Sequence, residues 1–123
     1  MTDERQKVTG IGGVFFRAGE PGTLSAWYAE HLGLDMEPGN SAIVPNEAGH
    51  YTVWAAFPES TDYFGDSGQP LMINYRVADL DAMIAQLRAD GVRVADKVED
   101  TPYGRFGWAY DPAGNRFELW QPE

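Results

Sequence analysis

The feature that most constrains this chain is the order of predicted elements, which is the same in each half. In the first half a strand precedes a helix that opens at Pro21 and ends at Gly33, and three short strands follow. In the second half a strand from Leu71 precedes a helix that is capped by Asp79 and ended by Gly91, and three more strands follow. The sequence therefore predicts βαβββ twice, a duplication of architecture rather than of residues.

The predicted modules are separated by a loop-like stretch. We predict one domain over 1–123, with a first module at 8–57, a linker at 58–70 and a second module at 71–122. The linker is rich in Pro, Ser, Thr, Asp and Gly, yet it carries the adjacent aromatics Tyr63 and Phe64. We expect these two rings to pack onto the domain or onto a partner.

Two further expectations concern packing and strand bounds. The first helix carries an apolar stripe at helical spacing, which predicts core packing for Leu24, Trp27, Tyr28 and Leu32.

Alternation predicts strands after the helices at 34–36, 42–44, 51–57, 92–94 with Val98, 105–110 and 116–121.

Composition excludes several classes of protein. The chain has 123 residues, 43% of them hydrophobic, which suffices for a core. With 19 acidic against 9 basic residues, its net charge of −10 disfavours nucleic acid and anionic membranes as partners. There is no long apolar run and no secretory leader, so we predict no membrane span and a cytoplasmic location. The absence of cysteine excludes disulfides and zinc–thiolate sites, and agrees with that location.

The last motif of the chain predicts a turn followed by a strand. Pro112 and Gly114 favour a chain reversal, after which Phe117 and Leu119 alternate with polar residues and Trp120. Glu118 lies in mid-strand between apolar neighbours, so its carboxylate either faces solvent or is paired or coordinated.

Three motifs resemble those of the vicinal oxygen chelate superfamily, which includes glyoxalase I, bleomycin-resistance proteins and extradiol dioxygenases. The closing Asp-Pro-x-Gly-Asn-x-x-Glu-Leu motif at 111–119, the aromatic pair before Leu-Gly-Leu at 27–34 and the Tyr-Arg-Val-Ala-Asp-Leu step at 75–80 occur in the expected order. The resemblance implies an α+β fold of two βαβββ modules whose curved sheets form a ligand-holding funnel. It also implies a homodimer, since many single-pair chains in the superfamily dimerise.

The resemblance further implies where a divalent metal would bind in metal-dependent members. The four ligand positions correspond here to Gly13, Trp54, Met72 and Glu118. Only Glu118 offers an oxygen donor, because glycine has no side chain, an indole only donates, and a thioether is a soft ligand. We predict no metal site and no cofactor, with His31 and His50 as surface residues. Exchange of Glu118 for Gln is then expected to leave the fold intact.

The remaining funnel positions predict a ligand site. Strand alternation, with the resemblance, selects a mixed aromatic and polar set of ligand-binding residues: Phe15, Trp54, Met72, Asn74, Arg76, Trp108, Glu118 and Trp120. The face on which Phe106, Trp108 and Tyr110 lie is left open, as is the possibility that the aromatics only fill the core.

Two functions remain open at this stage. The first is a metal-free small-molecule-binding protein that resembles bleomycin-resistance proteins and takes a flat, cationic ligand between aromatic walls. The alternative is an enzyme similar to glyoxalase, an isomerase or lyase, with Glu118 as catalytic base or metal ligand and a metal recruited through ligands such as His50. Neither the substrate nor the choice between binding and catalysis follows from the sequence.

Overall fold

The computed structural model describes residues 5–45, 49 and 51–123. The elements, in order, are β1 (Val8–Ala18), α1 (Pro21–Leu32), β2 (Met36–Glu37), β3 (Ser41–Pro45), β4 (Tyr51–Pro58), β5 (Leu71–Val77), α2 (Leu80–Ala89), β6 (Glu99–Thr101), β7 (Gly104–Tyr110) and β8 (Arg116–Pro122). This order confirms the predicted α+β fold of two βαβββ modules. The chain divides into two compact units, which we call the first unit (Gly12–Ile73) and the second unit (Asn74–Glu123 with the residues before Gly12).

In the first unit, α1 covers one face of four strands in the order β2-β3-β4-β1. The helix begins at Pro21 and ends at Gly33, whose φ of 73° is the left-handed cap conformation predicted from the sequence. Strands β1 and β4 are parallel, with Gly13 opposite Val53. The core on the α1 side contains Ala42, Trp54 and Ala56, packed with Phe16, Leu24, Tyr28, Leu34, Met36 and Val44.

The predicted apolar stripe of α1 is wrong in part. Trp27 is 50% exposed and Leu32 is 62% exposed, whereas Ser25 is the buried residue of the helix. The Ser25 hydroxyl donates to the side-chain oxygen of Asn40 at 2.9 Å and lies 3.1 Å from the Gly22 carbonyl oxygen. Because these bonds satisfy its hydroxyl, serine can occupy the packed side of the helix and the larger indole turns outward.

The loop between the modules packs onto the first unit. The Phe64 side chain is fully buried, and its ring lies 5.2 Å from that of Phe57. The half-buried Tyr63 also contacts Phe57, and the two rings stack at a centroid distance of 5.3 Å and an angle of 8°. The Arg17 guanidinium lies 5.0 Å from the Phe64 ring centroid and donates to the carbonyl oxygens of Glu59, Thr61 and Gln69. Of the two expected destinations for this aromatic pair, the structure shows the domain itself.

In the second unit, α2 covers one face of strands in the order β5-β8-β7-β6. Asp79 caps the helix as predicted, since its carboxylate accepts from the Ala82 amide at 3.0 Å. The core on the α2 side is built from Val77, Leu80, Met83, Ile84 and Leu119, with Tyr75, Leu87, Val94, Val98 and Phe117 packed against it. A side chain at Gly107 would meet Ile84 at 3.1 Å, so glycine lets α2 approach the sheet.

The predicted strand over 92–94 is wrong. Val94 makes only an isolated bridge to Ala109, and the strand β6 begins later, at Glu99. Val94 and Val98 pack against the core on the α2 side, and an apolar pattern alone does not distinguish such packing from strand pairing. No helix among the residues described is long and apolar enough to cross a membrane.

Candidate functional site

The β7–β8 hairpin sets which side chains lie together on the second unit. Asp111 accepts hydrogen bonds from the amides of Ala113 and Asn115, both at 2.9 Å, and Gly114 takes a φ of 89°. This turn pairs Tyr110 with Arg116, and therefore Trp108 with Glu118 and Phe106 with Trp120. The bond from the Asn115 amide is the main reason that the pKa of Asp111 is lowered, against a smaller opposing effect of burial.

One face of this unit carries its polar and aromatic side chains, opposite the face that α2 covers. We call this the helix-free face, and it consists of Asn74, Arg76, Phe106, Trp108, Tyr110, Arg116, Glu118 and Trp120. Five of the predicted ligand-binding residues therefore lie together: Asn74, Arg76, Trp108, Glu118 and Trp120. The open question about Phe106, Trp108 and Tyr110 is answered, since they share the face of Glu118. Counting back from the turn could have shown this from the sequence.

Glu118 is the most deeply placed charged residue of the face. It is 1% exposed, and each carboxylate oxygen accepts a hydrogen bond from a neighbouring strand. Asn74 Nδ2 donates to Oε1 at 2.6 Å from β5, and Trp108 Nε1 donates to Oε2 at 2.9 Å from β7. These two neutral donors offset part of the cost of burying the carboxylate.

The side-chain amide oxygen of Asn74, Oδ1, is the second polar atom of this residue. Asn74 is 1% exposed, and its Oδ1 has no hydrogen-bond partner in the described part of the chain. Buried acceptors without a partner are rare in folded proteins. The pair Asn74–Glu118 thus presents one unsatisfied acceptor beside a carboxylate.

Aromatic and cationic groups surround this pair. Trp120 is 3% exposed, stacks on the half-buried Phe106 at 5.8 Å and 3°, and donates from Nε1 to the Tyr103 carbonyl oxygen. The Arg116 guanidinium lies 5.3 Å from the Trp108 ring centroid and donates to the Tyr110 hydroxyl at 3.1 Å. The guanidinium of Arg76 occupies the space that a side chain at Gly10 would need, since its Nη2 lies 2.8 Å from that Cβ position.

Three of the predicted site residues belong to the first unit. Met72 is fully buried. Phe15 lies on the face of β1 opposite α1, with its ring 5.5 Å from that of Phe57. Trp54 does not share that face: it packs under α1, 4.7 Å from the Tyr28 ring and 5.7 Å from the Phe16 ring. The sequence predicts Trp54 on the same face as Phe15, but the structure pairs Phe15 with Ala55 and places Trp54 on the opposite face. The pairing register between β4 and β1 is a tertiary property that strand alternation alone does not give.

The implied metal positions do not fit a divalent ion. A side chain at Gly13 would meet Phe15 at 2.8 Å and the Val53 carbonyl oxygen at 3.0 Å, so no imidazole fits there. The residues of β4 that face away from α1 are Tyr51, Val53, Ala55 and Phe57, and of these only Tyr51, at the start of the strand, carries an oxygen, a phenol rather than a carboxylate or imidazole. Among the described residues no group of three or more His, Cys, Asp or Glu is placed to hold a metal ion. His31 is exposed at the end of α1 as predicted, and His50 lies outside the described residues.

The comparisons with known proteins agree with the fold. The profile of the glyoxalase-like domain family matches residues 13–120. The structure is similar to methylmalonyl-CoA epimerase from Mycobacterium tuberculosis (23% identity, TM-score 0.72, 100% of this chain and 93% of that one). It is also similar to a Streptomyces coelicolor methylmalonyl-CoA epimerase variant in complex with 2-nitronate-propionyl-CoA (19%, TM-score 0.73, 94% and 99%). The sequence finds no match among curated proteins.

A third similar structure carries a different activity in its name. It is an NAD-dependent benzaldehyde dehydrogenase from Legionella pneumophila, with 14% identity, a TM-score of 0.62 and coverage of 90% of this chain and 98% of that one. At these identities the likeness shows the fold and not the reaction. The match to the family model does show the family, because it covers residues 13–120, which is most of the chain. The chain therefore belongs to the glyoxalase-like domain family, within the vicinal oxygen chelate superfamily that its motifs resemble.

Proposed function

We propose that this chain is a small-molecule-binding protein that works without a resident metal ion, in the manner of the bleomycin-resistance proteins. Its ligand would lie against the helix-free face of the second unit. The observation that carries the proposal is the chemistry of the implied metal positions, where Gly13 has no room for a side chain and Met72 is a buried thioether, so that Glu118 alone offers a carboxylate or imidazole. The two oxygens of Glu118 accept N–H bonds from Asn74 and Trp108.

The ligand class follows from the groups that remain on this face. Asn74 Oδ1, which has no hydrogen-bond partner among the residues that the structure describes, would accept a hydrogen bond from a ligand N–H or O–H group. The half-buried Phe106 and Tyr110 offer aromatic surface to a flat ligand. Locally the face carries one carboxylate, Glu118, and two guanidinium groups, so the overall acidity of the chain does not decide the charge of the ligand. We therefore propose a flat ligand with a hydrogen-bond donor, and no requirement for positive charge.

A second candidate function is supported by the structural neighbours, which are named as methylmalonyl-CoA epimerases, one in complex with a CoA ester. In this alternative Glu118 would be the base of a glyoxalase-like isomerase or lyase. The buried Glu118 carboxylate favours it, because a buried carboxylate at a strand centre is costly to keep without a function. Against it, the N–H bonds from Asn74 and Trp108 stabilise the ionised form of Glu118 and so weaken it as a base.

A ligand screen tests the first candidate. Flat aromatic compounds with N–H or O–H donors would be screened by thermal shift, with and without chelator, since a ligand at 100 times its dissociation constant stabilises by about 2.7 kcal/mol. Binding should be unaffected by the chelator and weakened by Phe106→Leu. Phe117→Leu is the matched control, because Phe117 belongs to the same hairpin but packs on the α2 side. Ligands that bind equally to both variants would contradict this site.

A solvent-exchange assay tests the second candidate. Methylmalonyl-CoA incubated with the protein in D₂O, with and without added divalent metal, should gain no deuterium at its α-carbon if the chain only binds ligands. Exchange that requires the metal and disappears in Glu118→Gln would establish the enzyme instead.

We also propose that the chain is a homodimer, as its resemblance to the superfamily implies. We further propose a cytoplasmic location, which agrees with its lack of cysteine. Light scattering should give twice the chain mass of 13.6 kDa at micromolar concentration. A mass equal to one chain would refute the dimer. Phe64 is fully buried within the chain, so of the aromatic pair in this loop the half-buried Tyr63 is the better candidate for a dimer contact.

A further inference from the structure

A groove of about 500 Å³ lies on the first unit, at the junction of β1 and α1. It is lined by Ala18, Gly19, Glu20, Thr23, Leu24, Trp27 and Tyr28. Neither the helix-free face nor the implied metal positions include any of these residues. From the chemistry of its walls, we propose that this groove binds a small organic cation, a primary or methylated ammonium group.

The two aromatic residues that line the groove, Trp27 and Tyr28, also contact other rings. The rings of Trp27 and Tyr28 are 5.4 Å apart and meet at 70°, which gives two surfaces at a steep angle. His31 lies 4.7 Å from the Trp27 ring, and Trp54 lies 4.7 Å from the Tyr28 ring. The negative face of an aromatic ring attracts a cation, and two angled rings contact it from two sides. Trp27 remains 50% exposed, so its ring is accessible to a ligand.

Two carboxylates lie at or beside the groove. Glu20 lines it directly, and Glu59 Oε1 lies 3.3 Å from where a side chain at Gly19 would begin. Glu20 accepts a hydrogen bond from Thr23 Oγ1 at 2.9 Å, which orients its carboxylate. Within the described residues, neither carboxylate forms an ion pair with a Lys, Arg or His side chain.

The charges near the groove favour a cation over an anion. The Arg17 guanidinium donates to three backbone carbonyl oxygens, including that of Glu59, and lies over Phe64, and within the described residues it forms no ion pair with either carboxylate. The amino end of α1 contributes about half a positive charge, which two carboxylates outweigh. The net charge of −10 further raises the local concentration of cations.

The test uses choline as a cationic probe and 3,3-dimethylbutan-1-ol as its uncharged isostere, at constant ionic strength. Titrations followed by ¹⁵N-edited spectra of the indole groups should shift the Trp27 signal with choline and not with the alcohol. Glu20→Gln should weaken choline binding by about threefold or more, and Trp27→Leu should abolish it. Glu30→Gln is the matched control, because Glu30 is an exposed residue of the same helix that does not line the groove.

Three results would overturn the proposal. Equal binding of the alcohol would show a merely apolar groove. Equal weakening by Glu20→Gln and Glu30→Gln would show an effect of net charge alone. Unchanged binding in Trp27→Leu would place the cation elsewhere. Because Trp27 and Glu20 are both exposed, these variants are expected to fold as the parent does.

Discussion

Asn74 and Glu118, which are 44 residues apart in sequence, meet through a 2.6 Å hydrogen bond from Nδ2 to Oε1 on adjacent parallel strands. Trp108 Nε1 binds the other carboxylate oxygen from the antiparallel strand on the far side. Three strands thus converge on one carboxylate. In metal-dependent relatives the resemblance assigns that carboxylate to a metal ion, whereas here N–H donors occupy both of its oxygens.

The first prediction concerns this contact. Glu118→Gln should lower the free energy of unfolding by about 1–3 kcal/mol, because the new amide directs an N–H group at one of the two donors. The variant is still expected to fold, but with lower stability. Asn74→Leu should cost a similar amount, and the double variant less than the sum, as measured by urea unfolding. Single variants with unchanged stability would show that the hydrogen bonds add nothing.

The second prediction concerns metal content. Protein purified without chelator should carry no stoichiometric divalent metal, because Gly13 and Met72 supply no oxygen or imidazole ligand and the residues of β4 that face away from α1 include no carboxylate or imidazole. Elemental analysis checks this directly. As a control, added chelator should leave the unfolding temperature unchanged. One zinc, nickel, iron or manganese per chain would contradict the prediction.

The third prediction separates two tryptophans. Trp54→Ala should lower the free energy of unfolding by about 3–5 kcal/mol, because the ring is 8% exposed and packed under α1. Trp27→Ala should cost about 1 kcal/mol or less, since half of that residue is exposed. Parallel urea titrations compare them. The reverse ranking would restore the assignment of Trp27 to the core.

The fourth prediction concerns the loop between the modules. Phe64→Ala should destabilise by about 3–5 kcal/mol, because its buried ring contacts Phe57 and lies beside the Arg17 guanidinium. Tyr63→Ala is the neighbouring control and should cost less, since Tyr63 is only half-buried. If both variants unfold at the parent's denaturant midpoint, the loop is not part of the cooperative unit.

The fifth prediction concerns pH. The pKa of Asp111 is below its ordinary value of 3.8, chiefly because the Asn115 amide donates to its carboxylate. A lowered folded-state pKa stabilises the native state above the unfolded pKa, and this contribution is lost as pH falls through the folded pKa. The stability difference between the parent and Asp111→Asn should therefore exist at neutral pH and shrink below pH 3.8. A difference that is independent of pH would rule out this linkage.

The sequence by itself determined the elements and the family. Pro21, Gly33 and Asp79 are local signals whose meaning depends only on backbone geometry, and each marks the predicted helix boundary in the structure. The alternation in β8 likewise depends only on the pleat of one strand. It correctly grouped Arg116, Glu118 and Trp120 on one face.

Only the tertiary structure decided which faces meet and how deeply. Trp54 lies on the face opposite to the predicted one, because the register of β4 against β1 arises from strand pairing across the module. Ser25, rather than Trp27, lies on the packed side of α1, where its hydroxyl bonds to Asn40. Because Asn40 is 15 residues away in the chain, the spacing of residues within the helix does not reveal this partner. Glu118 had two readings in the sequence, solvent-facing or partnered, and the donors that decided between them come from two other strands. Local signals act within a turn or a strand, whereas burial and hydrogen-bond partners depend on residues distant in the chain.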